Sequence, residues 1–118
     1  WEVFIDNGRE HTSLNVIDWI LQAEKLGAGE ILLTSVDREG TRKGYETNLI
    51  KKVSEIVNVP LIISGGMNQP ENIIELYRNL GVEAFSMADI LQYNRHSISS
   101  IKEYLCKKEI PVRLNDFE

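Results

Sequence analysis

Glycines and charged residues follow two apolar segments of the sequence, at positions where a protein can hold a phosphorylated ligand. The segment SVDREGTRKGYE places Asp37, Glu39 and Gly40 directly after the apolar run ILLT. The segment ISGGMN places Gly65 and Gly66 at the end of a second apolar run. Glycine lets backbone N–H groups approach an anion closely, and carboxylates accept hydrogen bonds from substrate hydroxyls. These residues predict either a ligand site or, in the simpler interpretation, a tight turn beside a solvated charged loop.

The remaining chemically versatile side chains are isolated in the sequence. His11 and His96 each stand in a polar loop, and neither has Cys, His or Asp neighbours at the spacing of metal ligands. We therefore interpret both as surface residues and predict no metal site. Cys106 is the single cysteine, which excludes an internal disulfide and fits a cytoplasmic environment. We expect no metal ion or other cofactor.

The charge of the chain excludes some classes of partner. The net charge is −5 over 118 residues, whereas general nucleic-acid binding requires a basic surface. Arg42 and Lys43 form a local basic pair, which we interpret as a solvated face. No apolar run is long enough to span a bilayer. We therefore expect neither a nucleic-acid partner nor a membrane partner.

Four apolar runs are predicted to be the strands that position these loops. They are VFID (3–6), ILLTS (31–35), LIIS (61–64) and AFSMA (84–88). All but the last are nearly continuously hydrophobic, which is typical of strands buried on both faces of a sheet.

Helical patterns follow the four runs. The spacing of apolar residues predicts helices at about 14–26, with Ser13 as the N-cap, and at about 49–57, 70–80 and 98–107. Alternation of strands and helices predicts an α/β fold with a parallel sheet, in which ligands bind at the carboxyl ends of the strands. Both glycine-containing loops fall at such ends.

The length of the chain allows four strand–helix units but not eight. A complete (β/α)₈ TIM barrel needs about 250 residues, so residues 1–118 are predicted to form one half barrel of four βα units. An open four-stranded sheet is the alternative, but it would leave two apolar edges unpaired. The sequence also begins with Trp1 and runs directly into a strand, which indicates a piece of a longer protein.

Taken together, these motifs resemble the C-terminal half of the cyclase subunit of imidazole glycerol phosphate synthase, an enzyme of histidine biosynthesis. The resemblance covers nearly the whole chain and rests mainly on GAGEILLTSVDREGTRKGYE, with SGG and VRL following in the same order. It implies a lyase that condenses ammonia, delivered by a glutaminase partner, with an aminoimidazole carboxamide ribonucleotide bearing two phosphates. The implied products are imidazole glycerol phosphate and aminoimidazole carboxamide ribotide.

The same resemblance assigns roles to individual positions. The acid of the ammonia gate corresponds to Glu30, at the amino end of its strand. The two aspartates that act as general acid and base in this family lie upstream of Trp1, so we expect no catalytic residue here and an inactive fragment. The positions implied to bind substrate or phosphate are Thr34, Glu39, Gly40, Ser64, Gly65, Gly66 and Asp89.

Asp89 departs from the family pattern, because a small hydroxyl residue usually helps to bind phosphate at that position. A carboxylate repels a phosphate, so Asp89 must turn away, be protonated or be screened, or the site no longer holds a phosphate. In the last case the chain would resemble cyclase-like subunits that deliver ammonia to a sugar in surface-polysaccharide biosynthesis. A further alternative is a non-catalytic, stand-alone half barrel that serves as a binding or assembly module and covers its sheet edges by dimerising. The expected partner of the half barrel is thus either the upstream half barrel or, in a homo-oligomer, a second copy.

Overall fold

The computed structural model describes residues 1–114, which form five strands and five helices. In chain order these elements are β1 (Glu2–Ile5), β2 (Glu10–Asn15), α1 (Val16–Lys25), β3 (Ile31–Thr34), α2 (Thr47–Ile56), β4 (Leu61–Ser64), α3 (Glu71–Leu80), β5 (Ala84–Ser86), α4 (Asp89–Gln92) and α5 (Ile98–Lys107).

Strands β3, β4 and β5 form a parallel sheet in that order, which confirms the predicted α/β class. The register aligns the carboxyl ends of the strands, because Thr34 lies opposite Ser64 and Ser64 lies opposite Ser86. Since residues paired in register point to the same face of a sheet, three hydroxyl side chains stand in one row. This row lies beside the loops that carry the predicted ligand residues.

The first predicted unit is not part of the parallel sheet, so the prediction of four parallel βα units was wrong at this point. The predicted strand 3–6 forms β1, but β1 pairs antiparallel with β2 in a separate hairpin. Asp6 and Asn7 take left-handed conformations, with φ of 49° and 55°, and Gly8 has a φ of 82°. Asp, Asn and Gly tolerate these conformations, so the chain reverses within a short turn.

The start of α1 also differs from the prediction. Ser13 lies within β2 with a φ of 61°, and it does not cap the helix. Asn15 is the N-cap instead, because its Oδ1 accepts the N–H of Ile17 at 2.8 Å and the N–H of Asp18 at 3.4 Å. The antiparallel pairing of β2 extends the strand to Asn15, which moves the helix start by about half a turn.

Helices α3 and α5 begin and end as their sequences predict. Helix α3 follows Pro70 and ends at Gly81, whose φ is 67°. Helix α5 begins at a capping box in which Ser97 and Ser100 exchange hydrogen bonds of 3.0 Å with each other's backbone N–H groups. No helix within residues 1–114 has the length and apolar character needed to cross a bilayer.

The parallel sheet packs on helices with one face only. Ile63, at the centre of the sheet, is 1% exposed and belongs to a core built largely with α3 and α5. A second cluster joins α1 to α2 through Val16, Ile20, Leu49 and Val53. The opposite face carries Leu32, which is 61% exposed. The expectation that these strands are buried on both faces was therefore wrong for the described residues. Two other apolar residues share that face with Leu32, and they are Ile62 and Ala84.

Candidate functional site

The glycine turn after β4 is required by the packing of the backbone around it. Gly65 and Gly66 have φ values of 96° and 99°. A Cβ added at Gly65 would lie 2.9 Å from the carbonyl oxygen of Ser35, and one added at Gly66 would lie 2.3 Å from that of Gly44. The N–H of Gly44 also donates to the carbonyl of Gly66 at 2.8 Å. Close approach of two backbone segments thus explains both glycines, whether or not a ligand binds.

Residues 35–44, which we call the acidic loop, are held in place by hydrogen bonds of their own. The N–H of Glu39 donates to the carbonyl of Ser35 at 3.0 Å. The hydroxyl of Thr41 donates to the carbonyl of Arg38 at 2.8 Å. Arg38 in turn donates through Nε to the Glu46 carboxylate at 3.2 Å. The loop is therefore a folded structure, on which the side chains of Asp37, Glu39, Arg42 and Lys43 are exposed.

Tyr45 anchors the end of the acidic loop in the hydrophobic core. Its side chain is buried, and its ring packs against Phe85 with 5.9 Å between ring centroids. Burial raises the pKa of Tyr45, and the negative charge of Glu39 raises it further. The loop is thus fixed at this end, and Oε2 of Glu39 lies beside the glycine turn, 3.3 Å from the position of a Cβ added at Gly65.

Most of the predicted binding residues surround one small cavity, which we call the rim cavity. Its volume is about 40 Å³, and it lies at the carboxyl ends of β4 and β5. The predicted residues that line it are Glu39, Gly40, Ser64, Gly65, Gly66 and Asp89, and they are joined by Arg42, Met67, Ser86, Met87, Ala88 and Ile90.

Thr34 and Glu30 line a different and larger space, which we call the open groove. This groove has a volume of about 930 Å³ and runs along β3 between that strand and the residues of β1 and α1. Glu30 precedes the amino end of β3, and Thr34 closes its carboxyl end. Glu39 lines both spaces, so the groove reaches the edge of the rim cavity. The structure therefore separates Glu30 from the other predicted residues by the length of a strand.

Asp89 is paired with two arginines. Arg42 Nε donates to Asp89 Oδ2 at 3.1 Å, and Arg95 Nη2 contacts the same oxygen. The ring of Tyr93 lies 5.6 Å from the guanidinium carbon of Arg42 and 5.5 Å from that of Arg95. Desolvation lowers the pKa of Arg95, and the charge of Arg42 lowers it further. The sequence left open whether the Asp89 carboxylate turns away, is protonated or is screened. In the structure, the two arginines screen its charge.

Three polar residues at this site are not predicted from the sequence. Arg42 was interpreted as part of a solvated basic face, although it pairs with Asp89 across 47 positions of sequence. Arg95 was not singled out, because nothing near it in the sequence marks it as a partner of Asp89. Ser86 could have been found, since it ends the last parallel strand and continues the hydroxyl row of Thr34 and Ser64.

The histidines lie outside the rim cavity. His11 is on β2, where Nδ1 is 3.0 Å from Oε2 of Glu2, and its ring packs against Phe4. The hydrogen bond with His11 lowers the pKa of Glu2, and the backbone N–H of Ser13 lowers it further. Residues 1–114 contain no cluster of three His, Cys, Asp or Glu side chains that could hold a metal ion.

A parallel sheet with a glycine turn and an acidic loop at its carboxyl edge is typical of α/β proteins that bind small ligands at that edge. The sequence model for the histidine biosynthesis protein family matches residues 1–97, and the chain belongs to that family. Proteins of this family are TIM barrels, of which the chain covers a part.

Individual relatives give the same result. The chain is 44% identical over 115 residues to the imidazole glycerol phosphate synthase subunit HisF of Thermococcus onnurineus, a match that covers 98% of the chain and 45% of the relative. The subunits of the same name from Dehalococcoides mccartyi and Methanosarcina acetivorans are 41% and 45% identical, over 98% and 97% of the chain and 46% and 42% of the relatives. These matches confirm the resemblance seen in the motifs. The chain spans about half the length of these curated relatives.

Proposed function

We propose that residues 1–118 are the C-terminal half barrel of the ammonia-dependent cyclase of histidine biosynthesis. The observation that carries this proposal is the convergence of the acidic loop and the glycine turn on the rim cavity. In a parallel α/β protein this edge is where ligands bind. The relatives that match over 97–98% of the chain are named as subunits of imidazole glycerol phosphate synthase. The reaction would take place in the cytoplasm.

The uncovered face of the sheet supports the half-barrel assignment. Leu32 is 61% exposed there, and within residues 1–114 the outer edges of β3 and β5 have no partner strand. Exposed apolar surface and unpaired strand edges both favour association. In the interior of a TIM barrel this face would meet the other strands. The upstream half barrel is therefore the proposed occupant, and a second copy of the chain is the alternative.

The residues of this half would bind the substrate and leave proton transfer to the other half. Glycine N–H groups and the hydroxyl row can donate hydrogen bonds to a phosphate, while the Glu39 carboxylate can accept them from sugar hydroxyls. The residues proposed for binding are Thr34, Glu39, Gly40, Ser64, Gly65, Gly66 and Asp89. General acid–base catalysis contributes typically about 10²–10⁴-fold. Without the upstream aspartates, the chain alone should be inactive.

Glu30 is proposed to belong to an ammonia gate facing a glutaminase partner. It lies before the amino end of β3, whereas the rim cavity lies at the carboxyl ends of the strands. A small molecule entering beside Glu30 would pass along the open groove to reach Glu39, which lines both spaces. A glutaminase would therefore dock at the amino ends of the strands.

The test is ammonium-dependent turnover of the bis-phosphorylated aminoimidazole carboxamide ribonucleotide. The chain is assayed alone and after reconstitution with the upstream half of the same protein. Turnover only in the reconstituted sample supports the proposal, while absence of turnover in a folded reconstituted barrel contradicts it. A Gly66→Ala variant should lose activity. A Glu103→Gln variant, which changes an exposed acid on α5, serves as the matched control.

A second candidate is a subunit that delivers ammonia to a sugar, and Asp89 favours it. Both arginine contacts are made to Oδ2 of Asp89, and a carboxylate has about four acceptor positions. Oδ1 can therefore accept a sugar hydroxyl. This candidate is supported if the protein turns over an amino-acceptor sugar but does not turn over the phosphorylated ribonucleotide.

A further inference from the structure

A cluster of charges joins the acidic loop to α4 beside the rim cavity. Arg42 donates to Asp89 at 3.1 Å, and Arg95 contacts the same carboxylate oxygen from the residues that follow α4. Arg42 has a φ of 58°, a conformation that residues other than glycine rarely adopt. The fold thus holds Arg42 in a strained backbone conformation with its side chain across to Asp89.

The rim cavity is narrow, with a volume of about 40 Å³, and the Arg42–Asp89 pair forms part of its wall. Arg42 and Asp89 both line it. The Arg42 side chain is 50% exposed, whereas the Asp89 side chain is only 19% exposed. Arg42 is therefore the partner of this pair that has room to turn toward a ligand.

We propose that Asp89 is an internal counter-ion that is exchanged for the phosphate of a ligand. In the ligand-free chain, Asp89 neutralises Arg42. When an anion enters the rim cavity, Arg42 leaves Asp89 and binds the anion, while Arg95 stays on the carboxylate and continues to neutralise it. This inference rests on the proposed phosphate-binding function of the cavity and adds the way in which the site balances the charge of the bound anion.

The two arginines have different surroundings, which is why we assign them different roles. Arg42 lines the cavity and is half exposed, so it can turn toward a ligand. The Arg95 side chain is 27% exposed and contacts Asp89 from outside the cavity lining. Counting Glu39 as well, two carboxylates face two guanidinium groups, so the charges sum to zero. If the charge of Asp89 is removed by substitution, the cluster keeps one net positive charge, which attracts an incoming phosphate.

The experiment is a calorimetric titration of the 118-residue chain with inorganic phosphate at constant ionic strength, which measures the dissociation constant of phosphate. Asp89→Asn keeps the shape of the side chain and removes its charge, and we expect it to bind phosphate on the order of tenfold more tightly than the wild type. Arg42→Gln should weaken binding and should also abolish the gain of Asp89→Asn in the double variant. Glu103→Gln removes an exposed acid on α5 and should bind phosphate as the wild type does.

The outcomes separate this inference from the proposed function. If the wild type binds phosphate and Asp89→Asn binds no more tightly, the exchange is overturned while the phosphate site stands. If no variant binds phosphate, the phosphate site and the exchange are both overturned. Asp89→Ser is a second charge-removing variant in case Asp89→Asn is poorly folded, and urea unfolding of each variant reports its folding. Equal gains in both folded variants support the exchange.

Discussion

Replacing Gly66 with alanine should destabilise the chain through a steric clash that no other described glycine would produce to the same degree. The added Cβ would lie 2.3 Å from the carbonyl oxygen of Gly44 and 2.9 Å from the Cβ of Arg38. Real Cβ atoms do not approach backbone oxygens this closely, so the acidic loop must move away from the turn. That movement breaks the 2.8 Å hydrogen bond from Gly44 to Gly66.

Two effects set the size of the loss. A positive φ costs a residue other than glycine roughly 1–2 kcal/mol, and the φ of Gly66 is 99°. Loss of the hydrogen bond adds roughly 0.5–1.5 kcal/mol, and displacement of Arg38 adds to both. The free energy of unfolding should therefore fall by roughly 2–4 kcal/mol. With a urea m-value of about 1–3 kcal/mol/M, the midpoint should drop by roughly 0.7–4 M.

Urea unfolding monitored by far-UV circular dichroism measures this loss, and Gly81→Ala is the matched control. Gly81 also has a positive φ, of 67°, but an added Cβ there meets no atom within 4 Å. Gly81→Ala should therefore cost only the backbone strain, roughly 1 kcal/mol. If the two variants lose the same stability, the close contact between the glycine turn and the acidic loop does not exist in solution.

Three further predictions concern the sheet, a helix cap and an acid. Ile63→Ala should lower the free energy of unfolding by roughly 2–5 kcal/mol, because Ile63 is 1% exposed, whereas Leu32→Ala on the open face should cost under about 1 kcal/mol. Ser97→Ala should cost about 1 kcal/mol by removing the cap of α5. Tyr104 donates a hydrogen bond that lowers the pKa of Glu71 below 4.5, so Tyr104→Phe should lower stability at pH 7 and have less effect as the pH falls below 4.5.

Each of these three predictions has a control variant or an outcome that would contradict it. Equal losses for Leu32→Ala and Ile63→Ala in urea unfolding would mean that the open face is covered in the isolated chain. Ser99→Ala, inside α5 and exposed, should leave stability unchanged or raise it slightly, unlike Ser97→Ala. For Glu71, the lowered pKa means that the bond contributes above pH 4.5 and is lost on acidification. A Tyr104→Phe effect that grows as the pH falls would contradict this sign.

The sequence predicted the local structure well where short-range signals are strong. The apolar runs located all three parallel strands, and Pro70, Gly81 and Ser97 marked the ends of α3 and α5 correctly. It failed at the first strand because pairing partners are not encoded in the pattern of a single run. A continuous apolar run also does not show whether both faces of its sheet are covered within the same chain or only one face is.

In the candidate site, too, the residues with strong local signals were predicted from the sequence. Glu39, Gly40, Gly65 and Gly66 could be predicted from the sequence as parts of a charged loop and a glycine turn, because residue type and backbone conformation are local properties.

The tertiary structure alone decided the charge balance of the site. Arg42 and Asp89 are 47 residues apart and meet only because the loop after β3 and the segment after β5 reach the same edge of the sheet. The hydroxyl row arises from strand register, which aligns Thr34, Ser64 and Ser86. Sequence spacing fixes what a segment can form, whereas the long-range pairing of segments fixes which charges neutralise each other.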